Sequence, residues 1–260
     1  MSAYYTSDTQ KLTYEQPVSE LVRHCLKVEK LSNSLNRLLD AFSPVVTDLA
    51  LSECLMLLRL CERADIRTRM IQWLLNLNNK CLQWGELGAI EYGHLNDVKL
   101  QVEQLLFDLD KRKTRFKLST DPFLKYLSLQ DLSSGVSALN APALQSWRVQ
   151  PAMQCKEHIL QWLSYVRSEV AAARFILKVL RSSVESKVME AKDGFFQMSL
   201  DVLQPIQLIR VTPSQHIVYP QMSIGKQRFS IAFYKFDYSQ EKFITQDMQS
   251  RSFELACCVC

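Results

Sequence analysis

The hydrophobic residues of this chain repeat with two different periods, one before and one after about residue 190. From residue 19 to about residue 188, apolar residues mostly recur three or four positions apart, which places them on one face of an α-helix. In the stretch 229–234, large apolar residues alternate with smaller or polar ones, and 253–257 repeats that pattern. A period of two is expected for a strand with one buried face. The sequence therefore predicts a helical region followed by a strand-rich region.

Prolines, cap residues and breaks in the apolar pattern divide the first region into about six or seven helices. Ser43-Pro44 predicts a helix start, because Ser suits the N-cap and Pro the first helical position. Asp65 and Asp121-Pro122 predict two further starts. The segment 142–147 is interpreted as a connection. The longest predicted helix runs from Gln154 to about Val188, with an apolar seam of the coiled-coil kind.

Strand-like runs follow Gly194, including 206–211 and the two alternating runs at 229–234 and 253–257. Because no crossover helix separates the last two runs, we expect them to be antiparallel neighbours. The segment 12–17 leans towards a strand and can add an edge to the same sheet.

These patterns together predict an α+β fold. The predicted domains are an α-helical domain at 18–190 and a C-terminal antiparallel β-strand domain at 191–260, which the strand segment 11–17 joins. A chain of 260 residues with 47% hydrophobic and 22% charged residues can form one large domain or two modest ones. Its 6 glycines are too few for the many turns of an all-β sandwich.

The sequence predicts a cytoplasmic protein. Its first residues have no apolar core of the kind a secretory signal needs, and the longest apolar candidate, 49–60, contains Glu53 and Arg59. The 8 cysteines are then expected to be reduced thiols, mostly small core residues. Cys257 and Cys260 form a C-x-x-C pair, but no second pair or histidine cluster completes a zinc set, so a terminal strand is the preferred interpretation.

No pattern of catalytic residues emerges from the chain. The 4 histidines are scattered, and the sequence lacks G-x-S-x-G, H-E-x-x-H and G-x-G-x-x-G. Gly225-Lys226 has no phosphate-binding loop around it. We therefore predict no cofactor, no metal and no enzymatic activity, while a small-molecule enzyme without a sequence motif remains the rival hypothesis.

The positive charge is unevenly distributed, although the net charge of +4 is too small to imply nucleic acid by itself. From residue 202 to 236 there is no Asp or Glu, whereas four cations occur there: Arg210, Lys226, Arg228 and Lys235. This favours an acidic partner, although ordinary solubilising charge explains it equally well. Five cations at 111–117 suggest a second hypothesis, nucleic-acid binding, against the simpler interpretation of a solvated helix end.

Three ordered blocks of the chain resemble the ZapD family of bacterial division proteins, which bundle FtsZ filaments. The first block is Tyr14-Glu-Gln-Pro-Val-Ser-Glu20, and the second is 57–68, with Glu-Arg at 62–63. The third comprises Tyr-Pro-Gln-Met-Ser at 219–223, Lys-x-Arg-Phe-x-Ile-x-Phe at 226–233 and Phe-Glu-Leu-Ala-Cys-Cys at 253–258. The resemblance spans nearly the whole chain.

The resemblance implies a cytoplasmic, non-catalytic homodimer at the midcell division ring, with a helical and a β domain. It implies that each subunit holds the short C-terminal tail of FtsZ, an amphipathic peptide with acidic and apolar residues, so that one dimer links two filaments. Arg63 matches the family's Glu-Arg motif, and Lys226 and Arg228 match its Lys-x-Arg-Phe motif. Arg67 is a secondary candidate, since it can instead form an ion pair within the chain. Neither a membrane nor nucleic acid is an expected partner.

Overall fold

The computed structural model describes residues 12–86, 92–111, 116–129, 141–200, 205–215, 217–236 and 244–259. Contacts within the chain divide it into two compact units. The helical unit is His24–Leu177, and the β unit combines Met1–Arg23 with Lys178–Cys260.

The helices that the structure describes are, in chain order, α1 (Glu20–Asp40), α2 (Thr47–Cys61), α3 (Ala64–Glu86), α4 (Tyr92–Lys111), α5 (Pro122–Leu129), α6 (Pro142–Arg148), α7 (Ala152–Ser164) and α8 (Arg167–Ser182). A 3-10 turn at Leu118–Thr120 precedes α5. In the helical unit α2 packs against α7, and α3 packs against α4. Eight of the 15 residues of α2 are buried, because apolar residues occupy most of its circumference.

One predicted helix start is confirmed and another is shifted. A carboxylate oxygen of Asp121 accepts hydrogen bonds from the backbone N–H groups of Phe123 and Leu124, both at 2.9 Å, so Asp121 caps α5 as its sequence position predicts. At Ser43-Pro44 the prediction is wrong by a few residues. Helix α2 begins only at Thr47, whose hydroxyl donates to the carbonyl oxygen of Ser43 across the intervening turn.

The segment 142–147 is itself helical, so its interpretation as a connection is wrong. Pro142 provides a fixed φ in the first turn of α6, and the burial of Leu144 and Trp147 holds the short helix in place. An isolated peptide of 7 residues would not form a stable helix, so packing decides this element.

The long helix predicted from Gln154 to Val188 is two helices followed by a strand. Between Ser164 and Arg167 the backbone hydrogen bonds run to the residue three positions back instead of four, which ends α7, and α8 ends at Ser182. The hydroxyl of Ser182 donates to the carbonyl of Lys178 in the last turn, a side-chain bond that competes with backbone bonding. Val188 then lies in a strand.

The strands are β1 (Tyr14–Pro17), β2 (Lys187–Ala191), β3 (Phe195–Ser199), β4 (Ile206–Pro213), β5 (Val218–Ile224), β6 (Arg228–Phe236), β7 (Ile244–Gln246) and β8 (Arg251–Val259). They form two antiparallel sheets rather than one. The first sheet has the order β1-β4-β8-β2, and the second has the order β3-β6-β5 with β7 also paired to β6. The predicted edge strand is confirmed, since Tyr14 lies opposite Val211 at the edge of the first sheet.

The predicted pairing of the runs 229–234 and 253–257 is wrong, because β6 and β8 belong to different sheets. Their apolar faces instead share one core, in which the ring centroids of Phe233 and Phe253 are 5.3 Å apart. Alternation shows that each strand buries one face, and two strands can do so either side by side or across a core.

Candidate functional site

Arg63 lies at the corner between α2 and α3. Its Nη2 donates to Oδ2 of Asp65 at 2.8 Å, and its Nε donates to Oδ1 at 3.3 Å, with both side chains exposed. The hydrogen bond from Arg63 holds the pKa of the Asp65 carboxyl below its usual value. The guanidinium is therefore accessible to a partner, but a partner carboxylate must compete with Asp65.

Arg67 follows one turn later on α3 and is half-buried. Its Nη2 donates to the carbonyl oxygen of Leu109, near the end of α4. A cation that satisfies a carbonyl in the last turn of a helix also interacts favourably with the helix dipole. Arg67 thus has a structural task in joining α3 to α4, which makes it a weaker candidate for partner binding than Arg63.

Lys226 and Arg228 lie on the hairpin between β5 and β6, in the β unit. The backbone N–H of Gly225 donates to the carbonyl of Arg228 at 2.9 Å, and Leu200 donates to the carbonyl of Gln227 at 2.8 Å, so the turn is fixed on both sides. The side chains of Lys226 and Arg228 are exposed, and neither forms an ion pair with any residue in the described ranges.

The other two cations of the acid-free stretch have carboxylate partners that come from elsewhere in the sequence, each shared with a further arginine. Arg210 on β4 donates through Nε to Glu15 of β1 at 3.1 Å. Lys235 on β6 lies 3.8 Å from a carboxylate oxygen of the buried Asp247. Among the four cations of the acid-free stretch, Lys226 and Arg228 on the hairpin are therefore the two without a carboxylate partner in the described ranges.

Arg228 stands at one end of the outer face of the second sheet. On β6 this face continues through Ser230 and Ala232 to Tyr234, alternating with the buried Phe229, Ile231 and Phe233. The antiparallel register adds these positions from the neighbouring strands: Phe195, Gln197 and Ser199 of β3, and Tyr219, Gln221 and Ser223 of β5. None of these residues is acidic.

The opposite end of the same face is aromatic. The rings of Tyr219 and Tyr234 stack with centroids 6.0 Å apart. The ring centroid of Phe236 lies 5.3 Å from that of Tyr219. Arg228 and Tyr234 are six residues apart on β6, which corresponds to about 20 Å along the strand. The cation and the aromatic cluster are therefore separated by roughly the length of a short extended peptide. Sequence reasoning missed this cluster, although Tyr219, Tyr234 and Phe236 all fall on alternate positions of their strands.

The four predicted residues thus form two local pairs. Helix α3 and its preceding corner bring Arg63 and Arg67 together in the helical unit, and the β5–β6 hairpin brings Lys226 and Arg228 together in the β unit.

The basic segment 111–117, the basis of the nucleic-acid hypothesis, lies largely outside the described residues, which omit 112–115. Its single aromatic residue, Phe116, stacks on Tyr165 with ring centroids 5.2 Å apart. Base stacking would require a free aromatic face, and this ring already has a partner within the chain.

The described ranges also bear on metal binding and on membrane-spanning helices. They contain no group of three or more His, Cys, Asp or Glu side chains placed to hold a metal ion. Cys257 lies in β8, and its C-x-x-C partner Cys260 falls outside the described residues. None of the helices in the described ranges is both long enough and apolar enough to cross a membrane.

Comparison with known proteins gives a consistent result over most of the chain. The sequence model of the ZapD family, described as a cell division protein, matches residues 26–232. The chain is 26% identical over 251 residues to cell division protein ZapD of Coxiella burnetii (strain RSA 331), covering 95% of this chain and 97% of the relative. It is 28% identical over 253 residues to ZapD of Pectobacterium atrosepticum, covering 95% and 97%. With ZapD of Klebsiella pneumoniae (strain 342) the identity is 26% over 253 residues, covering 94% and 98%.

Proposed function

Because this chain belongs to the ZapD family of cell division proteins, we propose that it binds the C-terminal tail of FtsZ and cross-links FtsZ filaments. It acts as a cytoplasmic homodimer at the midcell division ring and transforms nothing chemically.

The observation that carries this proposal is the β5–β6 hairpin. Lys226 and Arg228 are exposed there, have no ion pair with any described residue, and border a sheet face without acidic residues. A guanidinium can hold a carboxylate through two parallel hydrogen bonds, while an ammonium acts as a point charge. Among the described residues of this face no acidic side chain opposes an acidic peptide, and the apolar residues of the peptide can contact the aromatic cluster around Tyr219.

Arg63 supplies a further contact from the helical unit, and Arg67 a subordinate one. Arg63 is exposed at its corner, and a carboxylate of the tail can replace Asp65 as a partner of its guanidinium. Before and after the exchange, the Arg63 guanidinium is paired with a solvent-exposed carboxylate. The net free energy of the exchange is therefore small. Arg67 would have to give up the Leu109 carbonyl, and its hydrogen bond there supports the fold.

Cross-linking follows from having two copies of the site in one particle. A homodimer that holds one tail in each subunit joins two filaments, and many tails along each filament raise the effective concentration for the second contact. Weak individual binding then suffices for bundling.

The site is tested by fluorescence anisotropy with a labelled FtsZ tail peptide at moderate salt. We expect Arg228→Glu and Lys226→Glu each to weaken binding by about tenfold, equivalent to about 1.4 kcal/mol. Lys187→Glu is the matched control, because Lys187 is an exposed cation on the first sheet of the same unit. Affinity should also fall as salt is added. Unchanged affinity for both Arg63→Glu and Arg228→Glu would remove this site.

Cross-linking is tested separately by sedimenting FtsZ polymers with and without this protein. Full-length FtsZ should pellet as bundles, and FtsZ lacking its tail should not. Sedimentation velocity of the protein alone should give a dimer. A monomer at the concentration that bundles filaments would contradict the bridging mechanism.

A further inference from the structure

The helical unit contains a groove that combines an apolar floor with two arginines. It has a volume of about 490 Å³, is partly open to solvent, and lies where α1, α2, α7 and α8 meet. Residues that line it include Leu35, Leu57, Leu163, Val170, Arg167 and Arg174. We refer to it as the arginine groove.

Arg174 occupies this groove without a carboxylate partner in the described ranges. Its Nη2 donates to Oγ of Ser32 at 3.0 Å and to Oδ1 of Asn33 at 2.8 Å, and both acceptors are neutral. Its Nε is buried and has no hydrogen-bond acceptor. A half-buried guanidinium with an unused donor is costly, because it loses water without gaining an equivalent partner. An anion bound beside the guanidinium in the groove would supply the counter-charge that its neutral partners do not.

Arg167 places a second cation on the same side of the same helix. Seven residues separate it from Arg174, which is two helical turns and about 10 Å along α8. Arg167 is exposed and forms no ion pair with any residue that the structure describes. None of the residues that line the groove is acidic, so the two positive charges are not compensated from its walls.

The apolar residues that line the groove determine which uncharged groups a partner needs. Leu35 and Leu57 close the floor and are themselves fully buried, whereas Leu163 and Val170 are partly exposed and Leu160 at the rim is 48% exposed. The volume falls within the range of about 300–1,000 Å³ that binding pockets occupy. A partner that matches this surface carries apolar side chains for Leu160, Leu163 and Val170 and carboxylates spaced for Arg167 and Arg174.

We propose that the arginine groove binds an acidic amphipathic peptide, its apolar side chains against Leu160, Leu163 and Val170 and its carboxylates on Arg167 and Arg174. This inference rests on the proposed function, in which the peptide is the FtsZ tail. Within the helical unit the groove supplies an apolar contact, which contributes affinity through area removed from water.

The binding test compares Arg167→Glu with Lys178→Glu, a matched charge reversal on an exposed position of α8 outside the groove. With the labelled FtsZ tail peptide, Arg167→Glu should weaken binding by about tenfold and Lys178→Glu by less than about twofold. A tail peptide whose apolar residues are changed to Ser should lose a similar factor on the wild-type protein. Equal effects of the two charge reversals would overturn the inference.

The location is tested on the wild-type protein, so that no variant needs to fold. In methyl-labelled full-length protein, titration with the tail peptide should shift the signals of Leu35, Leu57, Leu163 and Val170. If these methyl groups do not shift while the peptide binds and Arg228→Glu weakens it, the groove inference fails and the proposed function stands. If the tail peptide does not bind at all, the proposed function fails, and the inference fails with it.

The competing occupant is a second copy of this chain. Sedimentation velocity of Arg167→Glu distinguishes it: a loss of the dimer would identify the groove as a subunit contact and overturn peptide binding there. Retention of the dimer, together with weakened tail binding, supports the peptide site.

Discussion

Arg63 and Asp65 are joined by two hydrogen bonds, with Nη2 to Oδ2 at 2.8 Å and Nε to Oδ1 at 3.3 Å. This side-on arrangement is the geometry in which a guanidinium holds a carboxylate most specifically. The pair is exposed, so it contributes little to stability. Its consequence is functional, because the internal carboxylate occupies the same donors that a partner carboxylate would use.

Removing the Asp65 charge should therefore strengthen tail binding. Asp65→Asn keeps a side-chain oxygen for the first turn of α3 but weakens the hold on Arg63, and we expect an increase of about two- to threefold in affinity for the FtsZ tail peptide. Asp97→Asn is the matched control, because Asp97 is an exposed acid on α4 of the same unit. If the two variants change the anisotropy titration equally, the gain is a general charge effect and Arg63 is not in the site.

The carboxylate of Glu15 is shared by two arginines within the β unit. Arg181 donates to it through Nε at 2.8 Å and Nη2 at 2.7 Å, and Arg210 donates through Nε at 3.1 Å. All three side chains are less than a third exposed. The cluster joins β1 to β4 and to the end of α8, so it stabilises the edge strand.

Glu15→Gln should lower the free energy of unfolding by about 2 kcal/mol, because two partly buried guanidiniums would lose their common counter-charge. Urea unfolding followed by circular dichroism measures the change. The matched control is Glu103→Gln in the exposed Lys99–Glu103 pair, which should cost less than about 0.5 kcal/mol. Equal costs in the two variants would show that the Glu15 cluster adds nothing beyond a surface ion pair.

Gly194 is the glycine that the β2–β3 turn requires. It has φ of +67°, and a Cβ built on it would lie 1.6 Å from the backbone oxygen of Asp247. Gly194→Ala must therefore move backbone, and we expect a loss of at least about 2 kcal/mol in the free energy of unfolding. Gly225→Ala, where the nearest atom is 3.3 Å away, should change it by less than about 1 kcal/mol. Thermal unfolding of the two variants side by side makes the comparison, and a similar melting temperature for both would contradict it.

Local signals in the sequence were sufficient for several elements but not for how they assemble. The cap at Asp121 and the edge strand at Tyr14 follow from side-chain chemistry and alternation within a few residues. The break between α7 and α8 does not, because Leu163, Val166 and Val170 continue the apolar spacing across it. Nor does alternation decide whether β6 lies beside β8 or faces it across the core.

The same limit applies to the candidate site. Lys226 and Arg228 of the acid-free stretch are exposed and have no carboxylate partner in the described ranges, whereas Arg210 pairs with Glu15, 195 positions away in the sequence. The charge composition of a short sequence window does not show which cations have partners that are distant in the sequence. The arginine groove could not be predicted from the sequence either, because residues from four helices that are separated in the sequence line it.

The thiols offer a test of the helical core that is independent of any partner. Burial disfavours the charged thiolate, and it raises the pKa of Cys25 and of Cys54 to about 12. Burial raises the pKa of the half-buried Cys257, in the β unit, to about 11. An ordinary cysteine has a pKa of about 8.5, so at pH 8 the thiolate fraction falls from about a quarter to about 10⁻⁴ for Cys54 and 10⁻³ for Cys257.

Iodoacetamide pulses at pH 8, followed by mass spectrometry of each peptide, should therefore leave Cys25 and Cys54 unlabelled in the native protein, with Cys257 reacting slowly. Because the raised pKa belongs to the folded state alone, the unfolded chain releases these protons first as pH rises. The free energy of unfolding should thus be unaffected by them below about pH 8 and should decline from about pH 9 upwards. All thiols should label at similar rates in concentrated urea. Rapid labelling of Cys54 in buffer, at a rate close to that in urea, would mean that α2 opens readily and is not the centre of the helical core.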